Sequence, residues 1–343
     1  MPTTPQWSGA FHQQAIRVAK IGLWEWDLRG NHVIYSAEWK HQLGYAEDEI
    51  SDELDEWETR VHPDDLPKVR QRVAEYLKRP WPDFEEEFRI RHKDCSWRWM
   101  LTRAETAVDE NGEPTRMVGC QVEITRYKLI EIELSRINRA LRLISGSNLT
   151  LVQLGDEGTV LEKVCRLAVE VGGYRMAWVG FAEQNEQKTV RPVAQAGFEP
   201  GYLESTLISW ADEPHGRGPA GTAIRTGRAC VSRNIPADPA FEPWREAAAQ
   251  AGYQSTIALP LRSEGRAFGA LTIYASEVDA FGPAEVRVLG ELASDLAFGL
   301  TVIRAIVNRH QDRGICCDVT EPVPVVELVE AALRIATASV ESR

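Results

Sequence analysis

The sequence predicts an α+β chain of two domains, each an antiparallel sheet with flanking helices, joined by a coiled-coil-like helix. Three observations lead to this. Apolar residues alternate with polar ones at period two in two separate blocks, the spacing changes to a period of seven between them, and 343 residues suffice for two cores. The boundaries fall at 14–124 for the first domain, 125–154 for the joining helix and linker, 155–305 for the second domain, and 306–343 for a tail with one helix.

The first block opens with a short helix, then two strand-like stretches, IGLWEWDL and HVIYS, parted by the turn Arg29-Gly30-Asn31. A polar, helix-rich middle follows over 36–79. It contains His62-Pro63-Asp64-Asp65, whose carboxylates suit the first turn of a helix with Pro pre-set at its first position. Strands at 84–92, 96–108 and 116–124 close the block. In the last of these Val118, Cys120, Val122 and Ile124 alternate with polar or small residues, which predicts that they form its buried face. The turn Lys93-Asp94-Cys95-Ser96 reads as a two-residue hairpin loop with Cys95 where positive φ normally calls for Gly.

From Thr125 onward Ile130, Leu134, Ile137, Leu141 and Ile144 are spaced four, three, four, three. That is an a/d seam, and it predicts a parallel homodimer; a single helix packed on one domain is the alternative. The second block begins with a helix over EGTVLEKVCRLAVEVG and strands over RMAWVGFAE and TVRPVAQAG. A Gly-rich loop and short helix (HGRGPAGTAIRTG), the strand ACVSRNI, a strong hairpin (STIALPLRSEGRAFGALTIYA) and an amphipathic helix over 283–308 complete it.

Composition narrows the function classes. With 51 acidic against 39 basic side chains the net charge is -12, which argues against a broad nucleic-acid surface. No apolar run is long enough to span a bilayer, and the N-terminal residues lack the basic-then-apolar pattern of a secretory signal, so a cytoplasmic protein without membrane contact is expected. The six cysteines (95, 120, 165, 230, 316 and 317) form no C-x-x-C pair and read as free thiols. Cys316 and Cys317 are adjacent, but two thiolates without His support are weak evidence for a metal, and none is expected.

These residues resemble two families. The first block is similar to PAS domains of the subclass that carries FRI followed by HKDGSWRW in its strands and HPDD in its helical part. Here the match rests on Phe84, on Phe88 to Trp99 and on His62 to Asp65, with Glu123-Ile124-Thr125 where such domains end in Asp-Ile-Thr. The second block resembles a GAF domain, on IALPLRSEGRAFGALTIY and GRGPAGTAIRTGRACVSRNI. The resemblance implies two sensory domains, PAS then GAF, of the kind found in bacterial signal transduction and two-component systems. It further implies that the five-stranded PAS sheet floors a cavity and passes strain to the exit helix.

Such chains commonly continue into a histidine kinase or a cyclic-di-GMP enzyme. None of the seven histidines sits in a phosphoacceptor context, and no Gly-Gly-Asp-Glu-Phe or Glu-Ala-Leu signature occurs, so no catalytic residue is assigned. The expected protein is a sensory input module acting on a separate output partner. The alternatives are a truncated input half of a histidine kinase or diguanylate cyclase/phosphodiesterase, and a GAF-type methionine sulfoxide reductase, which Cys230 alone does not support. Trp24, Trp26, Trp97 and Trp99 are candidates for stacking on a small planar ligand, with a plain core role as the alternative. Flavin or haem would be the planar cofactors, but no Asn-Cys-Arg-Phe motif is present and only His41 or His62 is near enough in sequence to ligate iron. In the second block Asp212, His215 and Arg217, set among three glycines before a helix, are candidates for an anion-binding loop.

Overall fold

The computed structural model describes residues 9–79, 83–152, 156–198, 201–205 and 207–312. The chain forms two compact units that divide between Glu131 and Ile132. Residues 313–343, most of the expected tail with Cys316 and Cys317, lie outside the described residues.

The first unit contains α1 (Gly9–Val18), β1 (Gly22–Asp27), β2 (His32–Tyr35), α2 (Ala37–Gln42), α3 (Leu54–Glu58), α4 (Leu66–Lys78), β3 (Phe84–Arg91), β4 (Trp97–Val108) and β5 (Pro114–Glu123). The strands form one antiparallel sheet in the order β2-β1-β5-β4-β3. Its inner face carries Val33, Tyr35, Phe84, Phe88, Ile90, Met100 and Met117, and packs against Trp39 and Leu43 near α2 and Val69 of α4. On β5 the buried face is formed by Met117, Gly119 and Gln121, while Val118 is 44% exposed. The sequence expectation had the opposite parity. Apolar alternation alone could not fix the face, because the inner positions of β5 hold one glycine that makes room for an indole and one amide that lines a cavity.

The stretch His62 to Asp65 also differs from its expected capping role. Helix α4 starts at Leu66, and Pro67, not Pro63, stands in its first turn. The Asp65 side chain makes no cap bond with the helix. Its carboxylate accepts from Arg89 Nε at 2.9 Å, Arg89 Nη2 at 2.7 Å and the Arg89 backbone N–H at 2.9 Å, which ties α4 to β3. A guanidinium fork gives a carboxylate two charge-assisted bonds, a stronger draw than a single helical N–H. Partial burial pushes the Asp65 carboxyl up, but the bonds and charge of Arg89 outweigh it and hold the group below the ordinary carboxylate range.

The turn between β3 and β4 is one residue longer than expected. The His92 N–H donates to Ser96 O at 2.9 Å and the Cys95 N–H to His92 O at 2.9 Å, enclosing the three-residue loop Lys93-Asp94-Cys95. Cys95 has φ +67°, in the left-handed region that closes such loops. The Asp94 carboxylate accepts from the Ser96 N–H (2.8 Å) and hydroxyl (2.5 Å), and these bonds keep it ionised well below the usual range.

Helix α5 (Thr125–Val152) follows β5. The second unit then contains α6 (Glu157–Glu170), β6 (Met176–Ala182), β7 (Val190–Gly197), α7 (Tyr202–Ser205), α8 (Pro219–Thr226), β8 (Cys230–Ser232), α9 (Arg245–Ala251), β9 (Ser255–Ser263), β10 (Arg266–Ala275) and α10 (Pro283–Asp312). Its sheet is antiparallel in the order β7-β6-β10-β9-β8. On one face Leu259, Leu271 and Ile273 pack with α6, α10 and the Ala140 and Leu143 positions of α5. On the other, Trp178 and Tyr274 pack with Tyr202, Phe241, Trp244 and Tyr253. Both sheet faces are covered, so the strands read as nearly continuous apolar runs.

Because a β-carbon in the left-handed region costs roughly 1–2 kcal/mol and Gly avoids that strain, Cys95→Gly is expected to stabilise the first unit by about 1 kcal/mol. Thermal melts should show a transition a few degrees higher than that of the parent, and Cys95→Ser should show no such gain.

Candidate functional site

The first unit encloses a chamber of about 260 Å³ between its sheet and helices α3 and α4. Its wall is almost wholly apolar: Trp24, Trp26, Val33, Tyr35, Trp39, Trp57, Phe84, Phe88 and Met117 line it, with Leu54, Val69, Val73, Ala74 and Leu77 from the helical side. Aromatic contacts stiffen it. Tyr35 stacks on Trp39 with ring centroids 3.9 Å apart, and Trp57 meets Phe88 edge-on at 5.9 Å. Gly119 is required for this geometry, since a methyl there would come within 2.5 Å of Trp24 Cε2 and 2.7 Å of the Arg103 carbonyl oxygen. The Trp24 indole therefore lies directly across β5, its cross-strand neighbour.

Four polar residues reach this wall, namely Thr102, Gln121, Glu58 and Arg70. Thr102 Oγ1 donates to Cys120 O at 3.2 Å. Gln121, 1% exposed, donates from its side-chain amide to Gln42 Oε1 at 3.1 Å. Gln42 in turn donates to Gln121 O (3.1 Å) and Lys20 O (2.6 Å), which fixes the pair in orientation. Glu58 and Arg70 satisfy each other in a two-point ion pair, Arg70 Nε donating to Glu58 Oε1 at 2.9 Å and Nη2 to Oε2. Arg70 is 55% exposed, so the pair stands at the solvent edge of the chamber.

Of the four tryptophans singled out in the sequence, Trp24 and Trp26 line the chamber, whereas Trp97 and Trp99 stand on the outer face of β4. Parity is the reason: Met100, Thr102 and Ala104 point inward, so odd-numbered neighbours point out. Trp97 packs on the His62 ring at 4.4 Å. Trp99 lies beneath Arg89 and Lys128, with their charged groups 5.5 and 5.9 Å from its centroid. The Trp99 N–H donates to Thr125 Oγ1 at 3.0 Å, the Ile124 N–H to Trp99 O at 2.8 Å, and Lys128 pairs with Glu87 at 2.6 Å. These contacts anchor the first turn of α5 to the side of β4 and β3 that faces away from the chamber. Sequence reasoning missed Gln121, Gly119 and the helical wall, none of which carries a motif. Neither His41 nor His62 lines the chamber, so the residues do not fit a histidine-ligated haem there.

In the second unit Asp212 and Arg217 form an exposed ion pair at 3.0 Å, and His215 sits edge-on to Trp244 at 6.2 Å. The glycines of this loop serve close packing. A methyl at Gly216 would strike the Ala211 carbonyl, and one at Gly221 would strike the carbonyls of Gly216 and Ser209. Arg225 Nη1 gathers the loop by donating to Ala211 O (3.0 Å) and Gly216 O (2.9 Å). Two carbonyls of the loop thus face its own arginine. A second feature is buried: Glu285, 0% exposed, accepts from Arg139 Nη2 (2.8 Å), Arg139 Nε (3.1 Å) and Tyr174 OH (2.7 Å). Burial, followed by the Glu285 charge, pushes the Tyr174 hydroxyl far up, so it stays protonated and donates. Arg136 Nη2 also donates to Asp279 O at 2.5 Å, so two arginines of α5 hold the turn that leads into α10. Among the expected seam residues, Ile130, Leu134 and Leu141 are exposed, Ile137 is half-buried, and Ile144 packs against the second unit's core.

Burial pushes the Cys165 thiol up to about 12, and burial raises that of Cys230 as well. Cys95 is exposed and Cys120 half-buried. Among the described residues no three His, Cys, Asp or Glu side chains gather as a metal site. Also among these residues, no helix is long and apolar enough to cross a membrane.

Comparison with known proteins agrees with this division. The family model described as PAS fold matches residues 32–121, and the one described as GAF domain matches residues 155–301. A methyl sulfide methyltransferase-associated sensor of Methanosarcina acetivorans is 30% identical over 238 residues, which cover 69% of this chain and 23% of that protein. The chain thus spans about a quarter of the length of that relative. Among solved structures, a sensory box histidine kinase/response regulator from Burkholderia thailandensis is 31% identical, covering 36% of this chain and 91% of that one at a TM-score of 0.33. A free methionine-R-sulfoxide reductase from Neisseria meningitidis is 22% identical, covering 49% and 91% at a TM-score of 0.42.

Gly119→Ala is expected to push Trp24 off β5 and to cost about 1–3 kcal/mol, the usual range for overpacking a tight site. Chemical denaturation followed by tryptophan fluorescence should report both the loss and a changed native emission; an unaltered midpoint and spectrum would contradict the close approach.

Proposed function

The chain belongs to the PAS–GAF signal-transduction proteins, and we propose that its PAS chamber is the sensing element and α5 the element that carries the signal onward. The observation that supports this most directly is the division of labour within β4. Thr102 on its inner face lines the chamber, while Trp99 on its outer face holds the first turn of α5 through Thr125 and Lys128. A ligand that shifts the sheet therefore alters the purchase of the helix. Within the GAF unit the same helix is held by Arg136 and Arg139. We take the domains to divide as the sequence predicts, with PAS over 14–124, the signalling helix over 125–154 and GAF over 155–305.

On this reading the protein is a cytoplasmic input module without catalysis of its own, acting on a kinase or cyclic-di-GMP output partner. The sulfoxide-reductase alternative is not favoured, because burial of Cys165 and partial burial of Cys230 raise their thiols above the ordinary range, and reductive chemistry at sulfur requires the thiolate. The functional state is a homodimer paired along α5. Tyr127, Ile130, Leu134 and Leu141 leave between about half and three-quarters of their surface in water in the single chain, at spacings that suit a short coiled coil.

Two measurements test the proposal. Val73→Phe, which fills the chamber from α4, should slow amide exchange over Ile124 to Glu131 in the full chain; unchanged exchange there would sink the chamber as input. Light scattering should give twice the chain mass for the parent and a single-chain mass for Ile130→Glu combined with Leu134→Lys, both exposed positions whose exchange leaves each unit's core intact. A dimer that survives this pair would remove the seam.

A further inference from the structure

The chamber's chemistry defines what it admits, given the proposed reading of it as the input site. We infer that it selects a neutral, two-ring heteroaromatic molecule of about the size of indole that presents one hydrogen-bond donor to the side-chain oxygen of Gln121. Size comes first. A cavity of about 150 Å³ lined by aliphatic and aromatic groups takes one benzene ring. The PAS chamber, at about 260 Å³, has space for a second fused ring, yet lies below the ~300 Å³ at which pockets for drug-sized ligands begin. Its wall is lined by the aromatic rings of Trp24, Trp26, Tyr35 and Phe88, which favour an aromatic partner.

Charge is excluded by the same wall. The charged groups that line the chamber are Glu58 and Arg70, paired with each other at its solvent edge. A charged ligand in the apolar interior would lose its hydration without a counter-charge there, which is costly. Polarity is then decided by what remains unbonded. Tyr35 OH donates to Glu53 O at 3.3 Å, Trp26 Nε1 to Asn31 Oδ1 at 3.1 Å and Thr102 Oγ1 to Cys120 O. Gln121 gives one of its two amide N–H groups to Gln42, and its side-chain oxygen accepts no hydrogen bond among the described residues. Gln42, held by two backbone carbonyls, fixes this orientation and leaves the Gln121 oxygen as an acceptor for a ligand donor.

The test uses the full chain and five probes: indole, the near-isosteric 1-methylindole and quinoline, and two charged, longer indoles, indole-3-acetate and tryptamine. Titration calorimetry and thermal shift should show saturable binding of indole that Val73→Phe removes. Loss of one neutral hydrogen bond, worth about 1 kcal/mol, should make 1-methylindole and quinoline about fivefold weaker. The anion and the cation should be weaker than indole by about tenfold or more. Gln121→Leu should bring indole and 1-methylindole to equal affinity, and Gln121→Met offers a second shape should the leucine variant fail to fold. Quinoline or 1-methylindole binding as tightly as indole to the parent would overturn the donor requirement. Equal binding of the charged probes would overturn the exclusion of charge, and no binding of indole up to about 1 mM would overturn the ligand class. None of these failures touches the slowed exchange expected in Val73→Phe, which depends on the chamber as input and on no particular ligand.

Discussion

One strand has to satisfy two neighbours at once. β4 is long and lies between β3 and β5: inward it meets the chamber through Thr102 and the core through Met100, outward it presents Trp97, Trp99 and Leu101. Side chains alternate strictly along a strand, so the two sets are separated by one residue and by the thickness of the sheet. Any displacement of β4 that relieves a crowded chamber is felt by Trp99 and, through Thr125 and Lys128, by the start of α5. The hairpin to β3 closes through the strained Cys95 turn, and the Asp65–Arg89 clamp joins α4 to β3, so the helical wall and the sheet are tied together.

One wall of the chamber depends on an omission on the neighbouring strand. Gly119 provides no side chain, and the Trp24 indole that lies where one would be lines the cavity. An apolar enclosure of this kind is normally filled, since interiors pack to crystal-like density and voids forfeit dispersion contacts. Keeping it open costs stability, which is consistent with a site that gains stability when occupied. The GAF unit follows the opposite course. The face of its sheet that carries Trp178 and Tyr274 is packed with Tyr202, Phe241, Trp244 and Tyr253, and the Tyr202 and Tyr274 hydroxyls meet at 3.3 Å. Its polar investment lies instead in the buried Arg139–Glu285–Tyr174 group that holds α5 to α10. A buried ion pair of this kind contributes little net stability but is expensive to break, so it suits a fixed attachment point better than a flexible one.

What the sequence determined by itself was the order and kind of elements. Alternation, turn residues and the HKD–SWRW and HPDD stretches are local signals, and strands β3, β4 and β5 lie within two residues of where these signals put them. The positive φ at Cys95 was legible for the same reason, since backbone sterics in a short loop depend on few neighbours. Tertiary structure decided which face of each strand is inside. Val118, Cys120 and Val122 look like a core stripe in sequence, yet Met117, Gly119 and Gln121 face inward, because a cavity wall takes a glycine and an amide where a filled core would take branched side chains. The pairing of Trp24 with Gly119, of Gln42 with Gln121 and of Asp65 with Arg89 joins residues from 24 to 95 positions apart in sequence. No local pattern specifies such pairs, since they arise only when sheet register and helix packing bring distant segments into contact.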